Sequence, residues 1–325
     1  MSCTNCPAMG VFVKLLLEPG ASPHTFDANS ERYEILPPDA EDFQRHGRLI
    51  GGQGITGKMY RLKSRVRDGG YYVYGKFRLN PSPGYLNTLL PKLVGDEVTD
   101  VFSPNTCPNV FGALLHRDVD VWKYLDGRVA RWELTGRAPQ FREQATPDLL
   151  LLEVDVLFED EAGFYSSPAP TWPVSEPDLP TGTSYAPYIF QDCDGGVTLN
   201  GEVREIYAFK LTYENNLSIR YANSLTASSI CPTGRKVALE CALPWTVANQ
   251  DLYDQGYAGA AAEMIFTYTN GGDTHSTTIN VENLKVPDES PHVYDENEVA
   301  FSIRGEAYGD ESTDAPEITV TNVIG

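Results

Sequence analysis

The chain lacks most of what an enzyme or a membrane protein needs. No stretch approaches the roughly 18 consecutive apolar residues of a spanning helix. The five histidines (His24, His46, His116, His275, His292) are scattered without metal-ligand spacing such as HxxxH. There is no GxSxG elbow, no phosphate-binding GxxxxGK loop and no dinucleotide fingerprint after a strand; GGQG at 51–54 opens no helical pattern and reads as a flexible loop. Carboxylates are so numerous that naming any two as an acid–base pair carries no information. The expectation is a protein without catalytic residues, metal or cofactor.

Cysteine is also sparse. Six residues (Cys3, Cys6, Cys107, Cys193, Cys231, Cys241) make no disulfide framework for a chain of 325 residues. Cys3 and Cys6 form a CxxC, but Cys107 and Cys193 do not supply the second pair of a four-thiolate site, so reduced thiols are the better reading. Cys241 alternates in phase with Val237, Leu239 and Leu243 and belongs in a core. The opening MSCTNCPAMGVFVKLLLEPG has no basic segment before its short apolar run and reads as a strand rather than a secretion signal. Synthesis inside the cell is expected.

Positive charge is scarce, and unevenly so. The formal net charge is −20, and residues 165–325 hold seven of the 25 lysines and arginines. Such a chain does not grip DNA through phosphates, although DNA could pass along it without sticking. Seven basic residues lie between Lys58 and Arg78, while acids cluster at 39–42, 159–161, 287–290, 295–298 and 309–311. Segregated opposite charges let a chain meet copies of itself.

What is abundant is period-2 alternation. RLKSRVR places Arg61, Lys63, Arg65 and Arg67 on one strand face, and Asp68-Gly69-Gly70 reads as a tight turn into YYVYGKFRL. Further strands are expected at 149–160, 202–214, 235–243, 262–269, 276–286 and 298–308. Helix is rare: Leu86, Leu89, Leu90 and Leu93 have the spacing of one short amphipathic helix, limited by Pro91, and NQDLYDQGYAG is a weaker counterpart in the second half. The stretch 166–187 contains six prolines and reads as an extended connector lying on a surface through Trp172 and Tyr185. A shift of 164 residues aligns Val73 with Val237, Leu79 with Leu243 and Gly95 with Gly259, which suggests a duplicated β unit.

The stretches ITGKMYRLKSR, GGYYVYGKFRL, YLNTLLPKLVG and VWKYLDGRVARWEL, followed by VTLNGEVREIYAFKLTYENNLSIRYANSLTASSI, TGRKVALECALPWTVANQDLY and TTINVENLKVP, resemble the major tail (tail tube) proteins of long-tailed, non-contractile bacteriophages. The resemblance runs from about residue 45 to the C-terminus. It implies a mainly β protein of two tandem β-sandwich modules, 1–165 and 188–325, each with a short flanking helix and joined by the connector. It further implies a virion protein, assembled in the host cytoplasm, whose partners are itself, other tail proteins such as the terminator and tape measure, and viral DNA sliding unbound through the lumen. Two modules per chain would let three copies imitate a sixfold ring. Arg61, Lys63, Arg65 and Arg67 are then candidate contacts between subunits, and Gly51, Gly52, Gln53 and Gly54 a candidate loop between rings. A β-sandwich carbohydrate- or receptor-binding module is the alternative, disfavoured because Trp122, Trp132, Trp172 and Trp245 do not cluster.

Overall fold

Alternation of apolar and polar residues is realised as long antiparallel strands. A computed structural model describes residues 13–21, 23–27, 30–36, 41–51, 66–117, 120–138, 149–163, 166–174, 179–199, 201–246, 249, 260–270, 272–285, 292–295, 298–309 and 316–325. In the first half these form β1 (Val13–Pro19), β2 (Glu31–Tyr33), β3 (Glu41–Gly51), β4 (Val66–Leu79), α1 (Pro83–Leu93), β5 (Glu97–Val98), β6 (Val101–Phe102), β7 (Phe111–Arg117), β8 (Val121–Arg137), β9 (Leu151–Phe158) and β10 (Asp160–Ala162). The second half supplies β11 (Cys193–Leu199), β12 (Glu202–Arg204), β13 (Ala208–Arg220), β14 (Ser229–Pro244), β15 (Ala260–Asn270), β16 (Asp273–Leu284), β17 (His292–Asp295), β18 (Glu298–Ala307) and β19 (Ile318–Val323).

A central antiparallel sheet runs β3-β4-β9-β8-β13-β14-β18-β17 through both halves. Two outer sheets flank it, ordered β2-β1-β7-β8-β10 and β12-β11-β15-β16-β19-β6-β5. The 17-residue β8 serves twice: its beginning pairs with β7 and β10, and its remainder enters the central sheet. The strand order of each half is the same in both layers. In the centre β3-β4-β9-β8 matches β13-β14-β18-β17, and outside β2-β1-β7-β8-β10 matches β12-β11-β15-β16-β19. The last rung between β4 and β9 is Val73–Phe158, and that between β14 and β18 is Val237–Ala307; the 164-residue shift holds from β4 to β14, whereas β9 and β18 are offset by 149.

The halves are fused rather than strung together. β8 and β13 pair over seven rungs, from Arg137–Ala208 to Arg131–Glu214. Beneath this seam Trp132 stacks on Tyr213 with centroids 5.5 Å apart, and its indole N–H donates to the Leu93 carbonyl at 3.1 Å. Helix α1 is capped by Ser82, whose hydroxyl accepts from Tyr85 N, and begins at Pro83, where a missing N–H costs nothing. It buries Leu86, Leu89, Leu90 and Leu93 between the layers, and one contiguous core spans both halves. The β5–β6 hairpin of the first half adds to β19 of the second.

Several local expectations change. Asp68-Gly69-Gly70 is not a turn: it lies inside β4, where Gly47 faces Tyr71 and Leu49 faces Asp68, a bulge with an extra residue on β4. Gly70 is needed there because the ring of Tyr221 covers it, at 2.7 Å from where a Cβ would stand. The single strand expected over 202–214 is two, β12 and β13, which enter different sheets. The helix passes through Pro91 to Leu93, since the one bond lost sits in its last turn. The weaker helix expected at 249–259 lies outside the described residues, apart from Asn249. Described residues of the 166–187 connector contain no strand. Trp172 lies 5.3 Å from the His116 ring, and Tyr185 meets Tyr85 edge-on at 5.5 Å over Gly84.

Because Trp132 supports the seam and the end of α1 together, Trp132→Ala is expected to lower stability by about 3–5 kcal/mol. Denaturant unfolding of the isolated chain reads this directly. A loss below about 1 kcal/mol would show that the seam does not depend on this side chain.

Candidate assembly surface

The central sheet ends on two strands that pair on one side only among the described residues. β3 pairs with β4 alone along its 11 residues, and β17 pairs with β18 alone. Asp42, Gln44, Arg45, His46 and Gly47 on β3 are exposed. A long exposed edge presents a row of backbone donors and acceptors, a template for pairing with another strand. The two edges also run in opposite directions, because eight alternating antiparallel strands return the chain direction at the far side. The directions of β17 and β3 are therefore related in the same antiparallel sense as those of β8 and β13.

The polar face of this sheet is a lattice of charge. Cross-strand register places Asp42, Lys76, Asp155, Arg131, Glu214 and Lys236 in one row with alternating sign. Opposite charges facing each other across strands each add a fraction of about 1 kcal/mol, and like charges subtract as much. The neighbouring row brings two acids, Glu153 and Glu133, face to face. Each is bracketed by cations: Glu153 receives Lys76 and Arg78, both at 2.6 Å, and Glu133 receives Arg131 together with Lys210 at 2.9 Å. Beyond the seam the pattern continues with Arg304–Glu240 at 3.1 Å and Lys236–Glu306 at 2.5 Å. Asp155, 9% exposed, accepts from the Tyr74 hydroxyl at 2.6 Å, and burial together with this bond holds that phenol above its ordinary pKa. Lys76, Arg78, Arg131, Lys210, Lys236 and Arg304 on this face are thus each engaged by an acid.

Elsewhere the polar residues stabilise the fold. His24 is buried beside Asp126 at 3.5 Å, and burial lowers its pKa. His275 is buried between the Thr183 hydroxyl and the backbone N–H of Gly325. The buried Lys92 ammonium, in the last turn of α1, is held by Glu31 at 2.6 Å and by the Thr88 carbonyl at 2.7 Å. Cys241 is buried as expected, its thiol pushed up to about 12 by burial. Among the described residues no three histidine, cysteine or carboxylate side chains group as metal ligands, and no helix is long and apolar enough to cross a membrane.

Of the residues singled out by sequence, Arg61, Lys63, Arg65, Gly52, Gln53 and Gly54 lie outside the described residues. Arg67 is in the backbone of β4 near its start, and Gly51 ends β3. The lattice residues Arg131, Glu133, Glu153, Asp155 and Glu214 were not singled out, although VARWEL and LEVDV carry their charges at every second position. The missing information was register, which decides that these charges meet.

The described residues thus form a mainly antiparallel β fold whose central sheet has two one-sided edges and a charged face. The sequence profile of the phage tail tube protein family matches residues 68–321, most of the chain. The chain belongs to that family, and with it to the structural proteins of the virion tail. No curated protein matches it significantly.

The Glu153 site makes a pH-dependent prediction. Burial alone would raise this carboxyl's pKa, but hydrogen bonds and charge from Lys76 and Arg78 outweigh burial and depress it. A depressed acid contributes stability that is present above its unfolded pKa, about 4.3, and is lost as pH falls through the folded value. Glu153→Gln is therefore expected to destabilise the chain by about 1–2 kcal/mol near neutral pH, with the difference vanishing in acid. Paired unfolding curves at pH 7 and below pH 4 measure it; a pH-independent deficit would contradict the ionic origin.

Proposed function

We propose that this chain is a tail tube subunit that closes into rings of three copies, stacked into the conduit through which the phage genome is ejected. It works as two tandem tube modules, residues 1–165 and 188–325, joined by the 166–187 connector. The observation that carries this reading is the seam between β8 and β13. There the end of one four-strand unit pairs with the start of the next, and the free β17 and β3 edges are the corresponding ends of the whole chain. Pairing β17 of one copy with β3 of the next repeats the internal seam between chains and removes both edges of the central sheet.

The size of the opening favours three copies. With strands about 4.8 Å apart and tilted by as much as about 40°, three copies of eight strands give a backbone diameter of roughly 37–48 Å. Two copies give roughly 24–32 Å, and side chains of about 5 Å on each wall reduce that to roughly 14–22 Å, too narrow for a DNA duplex over most of that range.

With the polar face of the central sheet turned inward, the lining is not the net-acidic one expected from a charge of −20. Acids and cations alternate on it. DNA passes because the lining cations Lys76, Arg78, Arg131, Lys210, Lys236 and Arg304 are already held by acids, which leaves little to gain there from releasing counterions at a phosphate. The rings themselves stack by complementary charge. Glu41, at the start of β3, and Asp295 and Glu298, between β17 and β18, occupy one end of the central sheet. Gly51 and Val66, which flank the basic stretch containing Arg61, Lys63 and Arg65, occupy the other.

Native mass measurement of a single ring should give three chains; six would contradict the closure argument. The double variant Lys63→Glu with Arg65→Glu should remain folded as a monomer but fail to form tubes under negative-stain microscopy. Normal tubes from that variant would remove these residues from the contact.

A further inference from the structure

The connection between β13 and β14, residues 221–228, does not simply close a hairpin. It crosses the ends of β8 and β9 to reach β4: Tyr71 N donates to the Leu225 carbonyl at 2.8 Å, Tyr71 bridges Thr226 in parallel, and the Tyr221 ring covers Gly70. This happens just beyond Val73–Phe158, the rung where β9 stops pairing with β4. The same place exists on β14. Pairing with β18 stops at Val237–Ala307, and Gly234 and Arg235 stand 164 residues beyond Gly70 and Tyr71. There, however, no described segment pairs with the strand beyond β13. Gly234 is exposed, and a Cβ added to it would meet only the Asn216 side-chain nitrogen, at 3.7 Å.

We infer that the exposed stretch of β14 around Gly234 is a docking site for the β3–β4 connection, residues 52–65, of a second copy of this chain. The inference rests on the ring closure proposed above. In a ring that pairs β17 with the next copy's β3, that copy's β3–β4 connection stands to β14 as the 221–228 connection stands to β4. The repeated geometry, rather than charge, sets the occupant: the 52–65 stretch carries Lys58, Arg61, Lys63 and Arg65 and no acid, while the site holds Arg235 and Lys236 as well as Glu214 and Glu306, which already contact Arg131 and Lys236. Counting back from the strands, Leu62 corresponds to Thr226, so Leu62 of one copy lies near Gly234 of its neighbour.

Two variants test this on the full chain, with Cys107 replaced by Ser in the cross-linking series. Gly234→Val has open space in the monomer and an ordinary strand conformation, so its circular dichroism and melting should match wild type, while ring yield at equal concentration falls about tenfold or more. Leu62→Cys combined with Gly234→Cys should give covalent dimers and trimers on oxidation of assembled rings, and neither single variant should do so. Rings of wild-type mass that tolerate Gly234→Val and leave the cysteine pair unlinked would overturn the docking site alone. A wild-type chain that never forms rings would overturn the closure, and the docking site with it.

Discussion

The backbone hydrogen bonds of an edge strand are the constraint on which the rest of this structure depends. Inside the chain that constraint is met at the seam where β8 pairs with β13 over seven rungs. At the ends of the central sheet it is unmet among the described residues, because β3 and β17 each have a single neighbour. A sheet of eight alternating strands brings its two ends out antiparallel, so the ends of separate copies are compatible in direction. Membership of the tail tube family is consistent with this physical need, since a tube wall is one way for every edge to find a partner.

The seam also explains why the halves share a core. A duplicated unit could have remained two beads on the proline-rich connector. Instead Trp132 stacks on Tyr213 across the seam, Asn215 donates to the Val129 carbonyl at 3.0 Å, and the β5–β6 hairpin crosses to β19. The Arg235 guanidinium binds the Asn105 carbonyl at 2.6 Å and Glu317 at 3.1 Å, a further tie between first-half loop and second-half sheet. Relative motion of the halves would break these contacts together, so the eight strands form one continuous sheet.

On its polar face the sheet is stiffened by charge rather than left as a solvated surface. Isolated surface ion pairs contribute little, but here Glu153, Glu133 and Arg131 each contact at least two oppositely charged groups. Such a network loses less side-chain entropy per contact, because a partner fixed by one pair is already placed for the next. The result is a face rich in charge yet without a single dominant sign.

By itself the sequence determined the strand-rich class, the helix at Leu86–Leu93 and the burial of Cys241, because each is written in local periodicity or spacing. It also marked the basic stretch near Arg61 to Arg67, where charge is concentrated along the chain. Tertiary structure alone decided that Asp68-Gly69-Gly70 is a bulge under Tyr221, that 202–214 divides between two sheets, and that Glu153 meets Lys76 and Arg78. The reason is physical. Period-2 patterning fixes which face a side chain takes, but the strand that lies beside it depends on register, and register is set by partners far away in the chain.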